Sequence, residues 1–206
     1  MMSKRQILPT MTIAALALLA VLGLNRGPAE PAASPLIASS NAQLAKGPED
    51  MSDATNEIPE VYVHVLNKNG ELVGPVHQKM VVKSEDEWRA ELSEDEFRIL
   101  RAKGTERPFC GGLLENKDQG YYLCRACRLP LFKSDTKFES GTGWPSFFQP
   151  VAETNIVERA DFSHGMSRVE VLCPRCDSHQ GHVFEDGPRP TGLRYCINGE
   201  AMDFVP

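Results

Sequence analysis

The 206-residue sequence has no run of lysines and arginines, and its 28 acidic residues outnumber 22 basic ones for a net charge of −6. A chain without a basic stripe lacks the electrostatic footprint of a nucleic-acid partner or of attraction to anionic lipid. It has no glycine-every-third repeat, no sustained heptad and no internal repeat, which excludes a collagen-like rod and a coiled coil. It is also short of long hydrophobic runs, so it is not a polytopic membrane protein. Six cysteines are too few for a disulfide-dense scaffold at this length. The hydrophobic share of 41% falls just below the usual range, so part of the chain is expected not to pack. The length allows one domain with extensions, or two very small ones.

The amino terminus begins with Lys4 and Arg5, followed by an apolar run from Met11 to Leu24. As a helix that run would rise about 21 Å, short of the roughly 30 Å hydrocarbon core. A basic start and a short apolar stretch outline an export signal. Ser40-Asn41-Ala42 is a small-x-small cleavage site far from the run, and an uncleaved, tilted anchor is the alternative. Residues 1–24 are therefore expected to be a signal peptide or anchor. Residues 25–58, rich in Pro, Ala, Ser and Asn, read as a flexible linker. The expected location is outside the cytoplasm, either periplasmic or held at the inner membrane facing outward, or an organelle if the source is eukaryotic. Membrane contact would come only through this segment.

Val61, Val63 and Val65 alternate with Tyr62 and His64, and Asn69-Gly70 supplies a hairpin turn, so residues 59–83 read as a β-hairpin extension. Ser84 with Glu87, and Ser93 with Glu96, each fit a capping box and predict two short helices, with Gly104 as a C-cap. Beyond Phe109, short apolar runs alternate with Gly and Pro, at Tyr121–Leu123, Leu129–Phe132, Val169–Leu172, His182–Phe184 and Leu193–Ile197. That spacing predicts antiparallel β structure.

Cys124-x-x-Cys127 and Cys173-x-x-Cys176 are two knuckles, each following a strand-like run. Two thiolates from each of two tight turns complete a tetrahedron around one zinc ion, and a site filled by four cysteines is structural. Disulfides or redox pairs are the competing reading, favoured by an oxidising compartment.

Cys110 and Cys196 remain. Period two in Arg194-Tyr195-Cys196-Ile197-Asn198 puts Arg194, Cys196 and Asn198 on one face and sends Tyr195 and Ile197 inward. A thiol between a cation and an amide is placed to act as a nucleophile, although a buried, inert cysteine is the commoner fate. His179 and His182 follow the second knuckle directly and can serve acid–base chemistry or stand idle at the surface. On a strand, Asp186 shares the His182 face and could orient its imidazole. In Gly141-Thr-Gly-Trp144, glycines admit a close ligand and Trp144 offers a flat wall, unless it is simply a core residue.

Together these segments resemble the B-type methionine sulfoxide reductases. The motifs that carry the resemblance are Gly104-Thr-Glu-Arg-Pro-Phe109, Ser140-Gly-Thr-Gly-Trp-Pro-Ser-Phe147, Gly181-His-Val-Phe-Glu-Asp-Gly-Pro188 and Arg194-Tyr-Cys-Ile-Asn198. The similarity covers about residues 84–206, with both knuckles in order. The resemblance implies a mainly β fold, two antiparallel sheets with short N-terminal helices and a zinc-ribbon-like site of four cysteines. It implies reduction of the R epimer of methionine sulfoxide in peptides or proteins. It makes Cys196 the nucleophile and has His179, His182, Asp186, Arg194 and Asn198 line the polar side of the site. Trp144 then packs on the substrate's S-methyl group, and Cys124, Cys127, Cys173 and Cys176 bind one structural Zn2+. A sulfenic acid on Cys196, a disulfide and a thioredoxin-like reductant complete the cycle.

One position departs from the common pattern. Many relatives carry the second, resolving cysteine where this chain has Thr142, and Cys110 beside two glycines is the remaining candidate. Direct reduction of Cys196 is the alternative. Two other classes compete with the enzyme: a zinc-ribbon binding module, which leaves the Cys196 strand unemployed, and a zinc hydrolase, which needs an open metal position that four cysteines close.

Overall fold

The computed structural model describes residues 57–206. The apolar run and nearly all of the expected linker lie outside them. The expectation of an exported or membrane-anchored protein is corrected: among the described residues, no helix is long and apolar enough to cross a membrane.

Strands β1 (Glu60–Leu66) and β2 (Leu72–Lys79) form the expected hairpin. Asn67 Oδ1 accepts from the Asn69 and Glu71 amides and shapes its turn. The hairpin docks against the domain. Val63 is buried in the main core, and the buried Asn155 amide binds both the N–H and the C=O of His64, along with the Pro130 carbonyl. Those bonds satisfy backbone groups that the irregularity between Val63 and Val65 takes out of the ladder.

Helices α1 (Glu85–Glu91) and α2 (Glu94–Leu100) both start with complete capping boxes, at Ser84 and Ser93. They turn Trp88, Phe97, Ile99 and Leu100 inward. The second helix ends at Arg101 rather than at Gly104, whose N–H reaches back to the Arg98 carbonyl.

Nine strands follow: β3 (Tyr121–Cys124), β4 (Pro130–Lys133), β5 (Lys137–Phe138), β6 (Ser146–Phe147), β7 (Val157–Asp161), β8 (Arg168–Leu172), β9 (His179–Phe184), β10 (Arg194–Ile197) and β11 (Met202–Val205). They build a six-stranded sheet in the order β5-β6-β10-β9-β8-β7 and a three-stranded sheet in the order β11-β3-β4. All pairings are antiparallel. Aromatic rings join the two sheets: Phe132 of β4 stacks on Phe147 of β6 at 4.5 Å, and Tyr122 of β3 meets Phe147 edge-on at 4.9 Å. This core fixes β10 from behind, so its polar face, with Cys196, turns outward.

Candidate active site

Cys196 sits mid-strand in β10, opposite Ser146 of β6 and His182 of β9. Gly181 permits this arrangement, because a Cβ there would lie 2.1 Å from the Cys196 carbonyl oxygen. The thiol opens into a cavity of about 140 Å³ lined by Thr105, Trp144, Arg168, Gly181, His182, Phe184, Cys196 and Asn198. Burial pushes the Cys196 thiol up, opposed by the Thr142 hydroxyl and the Arg194 charge.

The cavity wall is set by hydrogen bonds. Trp144 Nε1 donates to the Glu106 carbonyl at 3.2 Å. Asn198 is buried and held at both ends of its amide: its Oδ1 accepts from the Glu106 N–H at 3.0 Å, and its Nδ2 donates to the Gln180 carbonyl at 3.0 Å. The Glu106 carboxylate receives the N–H groups of Gly199 and Glu200, at 2.6 and 3.0 Å. One residue thus ties the Trp144 wall to the chain leaving Cys196.

His182 Nε2 lies 2.8 Å from Asp161 Oδ2. Contacts from Ser163, His182 and Arg168 hold the Asp161 carboxyl well below the usual range. An ionised carboxylate only accepts, so the proton lies on Nε2 and leaves Nδ1 as the exchangeable site. Arg168 donates to the same carboxylate at 2.7 Å, while its Nε is buried and has no partner among the described residues.

The residues expected in the site divide. Cys196, His182, Trp144 and Asn198 share the cavity. His179 stands behind His182, ring to ring at 5.4 Å, and is buried. Its Nδ1 is 2.8 Å from Glu170 Oε1, and Lys103 Nζ holds the other oxygen at 2.8 Å. Burial dominates at His179 and keeps the ring below the usual imidazole value. Asp186 does not orient His182: it takes both Arg194 Nε and Nη2, at 2.8 and 2.9 Å, and Asp161 fills the role at the imidazole. Cys110 is exposed and faces a different, larger cavity of about 710 Å³, with Thr105 common to both walls. Gly143, at φ +92°, accepts the Phe109 N–H at 2.8 Å and so joins the Cys110 loop to the Trp144 loop.

Asp161, Arg168 and Glu170 support the site without a role expected from the sequence, and Phe184, on the strand face of His182, joins the cavity wall. A signal was present in Arg168-Val-Glu-Val-Leu172, where period two puts opposite charges on one strand face. Only the pairing of β8 with β9 sets Glu170 opposite His182.

The four knuckle cysteines are all buried, with their sulfurs within 4.8 Å of one another. Cys124 and Cys176 Sγ are 3.6 Å apart, and Cys127 and Cys173 Sγ 3.5 Å. A tetrahedron with metal–sulfur bonds of about 2.3 Å has edges of about 3.8 Å, so this donor set fits one soft divalent ion. Gln180 Nε2 points to Cys124 Sγ at 3.5 Å, and Arg101 fastens the Cys176 carbonyl at 2.8 Å.

Residues 92–206 match the family model described as the SelR domain. A peptide methionine sulfoxide reductase MsrB of Leptospira interrogans is 56% identical over 124 residues, covering 60% of this chain and 95% of the relative. Proteins of the same name from Methanosarcina barkeri, 56% identical over 62% of this chain and 89% of theirs, and Caulobacter vibrioides, 62% identical over 56% and 73%, are also similar. A match over more than half the chain, on the strands that surround Cys196, shows that this protein belongs to the SelR family, the B-type methionine sulfoxide reductases.

Proposed function

We propose that this chain, through a reductase domain at residues 84–206 with residues 59–83 as its hairpin extension, reduces the R epimer of methionine sulfoxide in peptides and proteins to methionine. The observation that carries this reading is the cavity in which the Cys196 thiol, an apolar wall and a carboxylate-backed imidazole converge. Trp144 and Phe184 supply a surface for the substrate's S-methyl group.

A sulfoxide sulfur becomes electrophilic as its oxygen gains a proton, so the nucleophile and the acid must act together. The Cys196 thiol gives its proton to His182 Nδ1, and its sulfur attacks the sulfoxide sulfur while His182 passes that proton on to the oxygen. The S–S bond formed in the attack and the substrate S–O bond then break as the hydroxyl passes to the Cys196 sulfur, both substrate C–S bonds survive, and methionine leaves Cys196 as a sulfenic acid. Asn198 and Arg194 hold the strand and its charge beside the sulfur, and His179 buttresses His182. The Cys110 thiol then displaces the hydroxyl as water and forms a disulfide, which a thioredoxin-like dithiol reduces by exchange, supplying two electrons. Cys124, Cys127, Cys173 and Cys176 would hold one Zn2+, whose role would be to stabilise the fold.

The direct test is incubation with the separated R and S epimers of a methionine sulfoxide peptide, with dithiothreitol as reductant. Turnover of the R epimer alone is expected, and turnover of neither would overturn the assignment.

A further inference from the structure

Three hydroxyls line up behind Cys196. Thr142 Oγ1 lies 3.9 Å from Cys196 Sγ, at the long end for a sulfur partner. Ser140 Oγ is 2.8 Å from Thr142 Oγ1 and 2.7 Å from Ser146 Oγ. Ser146 is fully buried, and its Oγ reaches the Trp144 carbonyl at 3.2 Å. We propose that these hydroxyls form a reversible hydrogen-bond chain that serves the Cys196 sulfur in both of its states, accepting from the thiol and donating to the thiolate, with Thr142 as the catalytic residue that touches it. This rests on the reading of Cys196 as the nucleophile.

Proton counting gives the chain its two senses. Each hydroxyl has one proton and can also accept. With a thiol at Cys196, S–H donates to Thr142, Thr142 to Ser140, Ser140 to Ser146, and Ser146 to the Trp144 carbonyl. Every donor is then used. With a thiolate the order reverses: Ser146 donates to Ser140, Ser140 to Thr142, and Thr142 to the sulfur. No side chain changes place: the thiol proton leaves to solvent through the cavity, and the three hydroxyl protons rotate. The Thr142 N–H, 3.4 Å from Ser140 Oγ, fits either sense.

The chain opposes the penalty of burial at Cys196, because a hydrogen bond to an ionised acceptor is among the stronger kinds. It also reaches the wall of the substrate cavity, since the Trp144 carbonyl has the Ser146 proton only while Cys196 is a thiol. The charged groups around the sulfur are His182 across the β9 pairing, Arg194 with Asp186 on its own strand, and Arg168 with Asp161 along the cavity. Substitutions in the hydroxyl chain leave all of these in place.

The test is the rate at which iodoacetamide alkylates Cys196 from neutral to alkaline pH, read by mass spectrometry on the peptide that bears it. Thr142→Val removes the hydroxyl but keeps the shape. It should slow alkylation at neutral pH by about ten-fold and displace the profile to higher pH. Thr142→Ser should follow the parent, and Ser140→Ala should slow the reaction by about three-fold. Should Thr142→Val fail to fold, Ser140→Ala carries the same readout. A Thr142→Val profile superimposed on the parent's, or a Thr142→Ser profile slowed as much as Thr142→Val, would overturn the chain. Alkylation needs no sulfoxide. The expected shifts in a protein without reductase activity would therefore support the chain and defeat the proposed function, whereas superimposed profiles in an active reductase would defeat the chain alone.

Discussion

Asp161 Oδ2 stands 2.8 Å from His182 Nε2, although 21 residues separate them. The contact joins the end of an exposed edge strand to the imidazole beside Cys196. It fixes which imidazole nitrogen is protonated and where the ring points.

Asp161→Asn should therefore lower kcat more than it raises KM. A loss of about 10²-fold, the scale of a general-acid contribution, is expected. Steady-state assays on the R-sulfoxide peptide with dithiothreitol check this, and a change confined to KM would contradict the orienting role.

Glu170 gives a pH-dependent stability. Burial alone would push its carboxyl up, yet the Lys103 ammonium and the His179 ring hold it below the usual carboxylate range. A carboxyl depressed in the fold stabilises above its unfolded value, near pH 4.3, and that contribution disappears as pH falls through the folded value. Glu170→Gln should cost about 2–3 kcal/mol at neutral pH. The gap to the parent should close in acid, as measured by urea melts at several pH values.

One zinc per chain is expected by elemental analysis. Cys127→Ser should lose it and several kcal/mol of stability, because metal binding is linked to folding. A fully stable, metal-free variant would refute this.

Cys110→Ser should retain turnover with dithiothreitol, which reaches the sulfenic acid directly, and lose cycling with a thioredoxin-like dithiol. Cys196→Ser should abolish both. Undiminished dithiol-driven turnover in Cys110→Ser would leave direct reduction of Cys196 as the better account.

Asn155→Ala should destabilise the protein by about 2–4 kcal/mol, since it strands the His64 and Pro130 backbone groups without partners. Thermal unfolding would read this, and faster hydrogen exchange in residues 60–79 would trace the loss to the hairpin.

Much of this architecture was already legible locally. The capping boxes at Ser84 and Ser93 need residues only three apart, so the sequence carries both helix starts. The same holds for the Asn-Gly turn, for the alternation that turns Cys196 outward, and for the C-x-x-C spacing, since each depends on backbone periods of a few residues. What reaches across the chain had no such signature. Period two makes Asp186 the expected partner of His182, because both fall on one face of a strand. Folding gives Asp186 to Arg194 and brings in Asp161 from β7 by way of β8, a strand order that no local pattern encodes. The hydroxyl chain from Ser146 to Cys196 likewise needs β6 and β10 to pair before its members meet. Which side chains face outward, and which chemistry they carry, follows from local order along the chain, because period and spacing are properties of the backbone. Which of them touch depends on the packed fold, because hydrogen bonds act over about 3 Å and only packing brings distant strands that close.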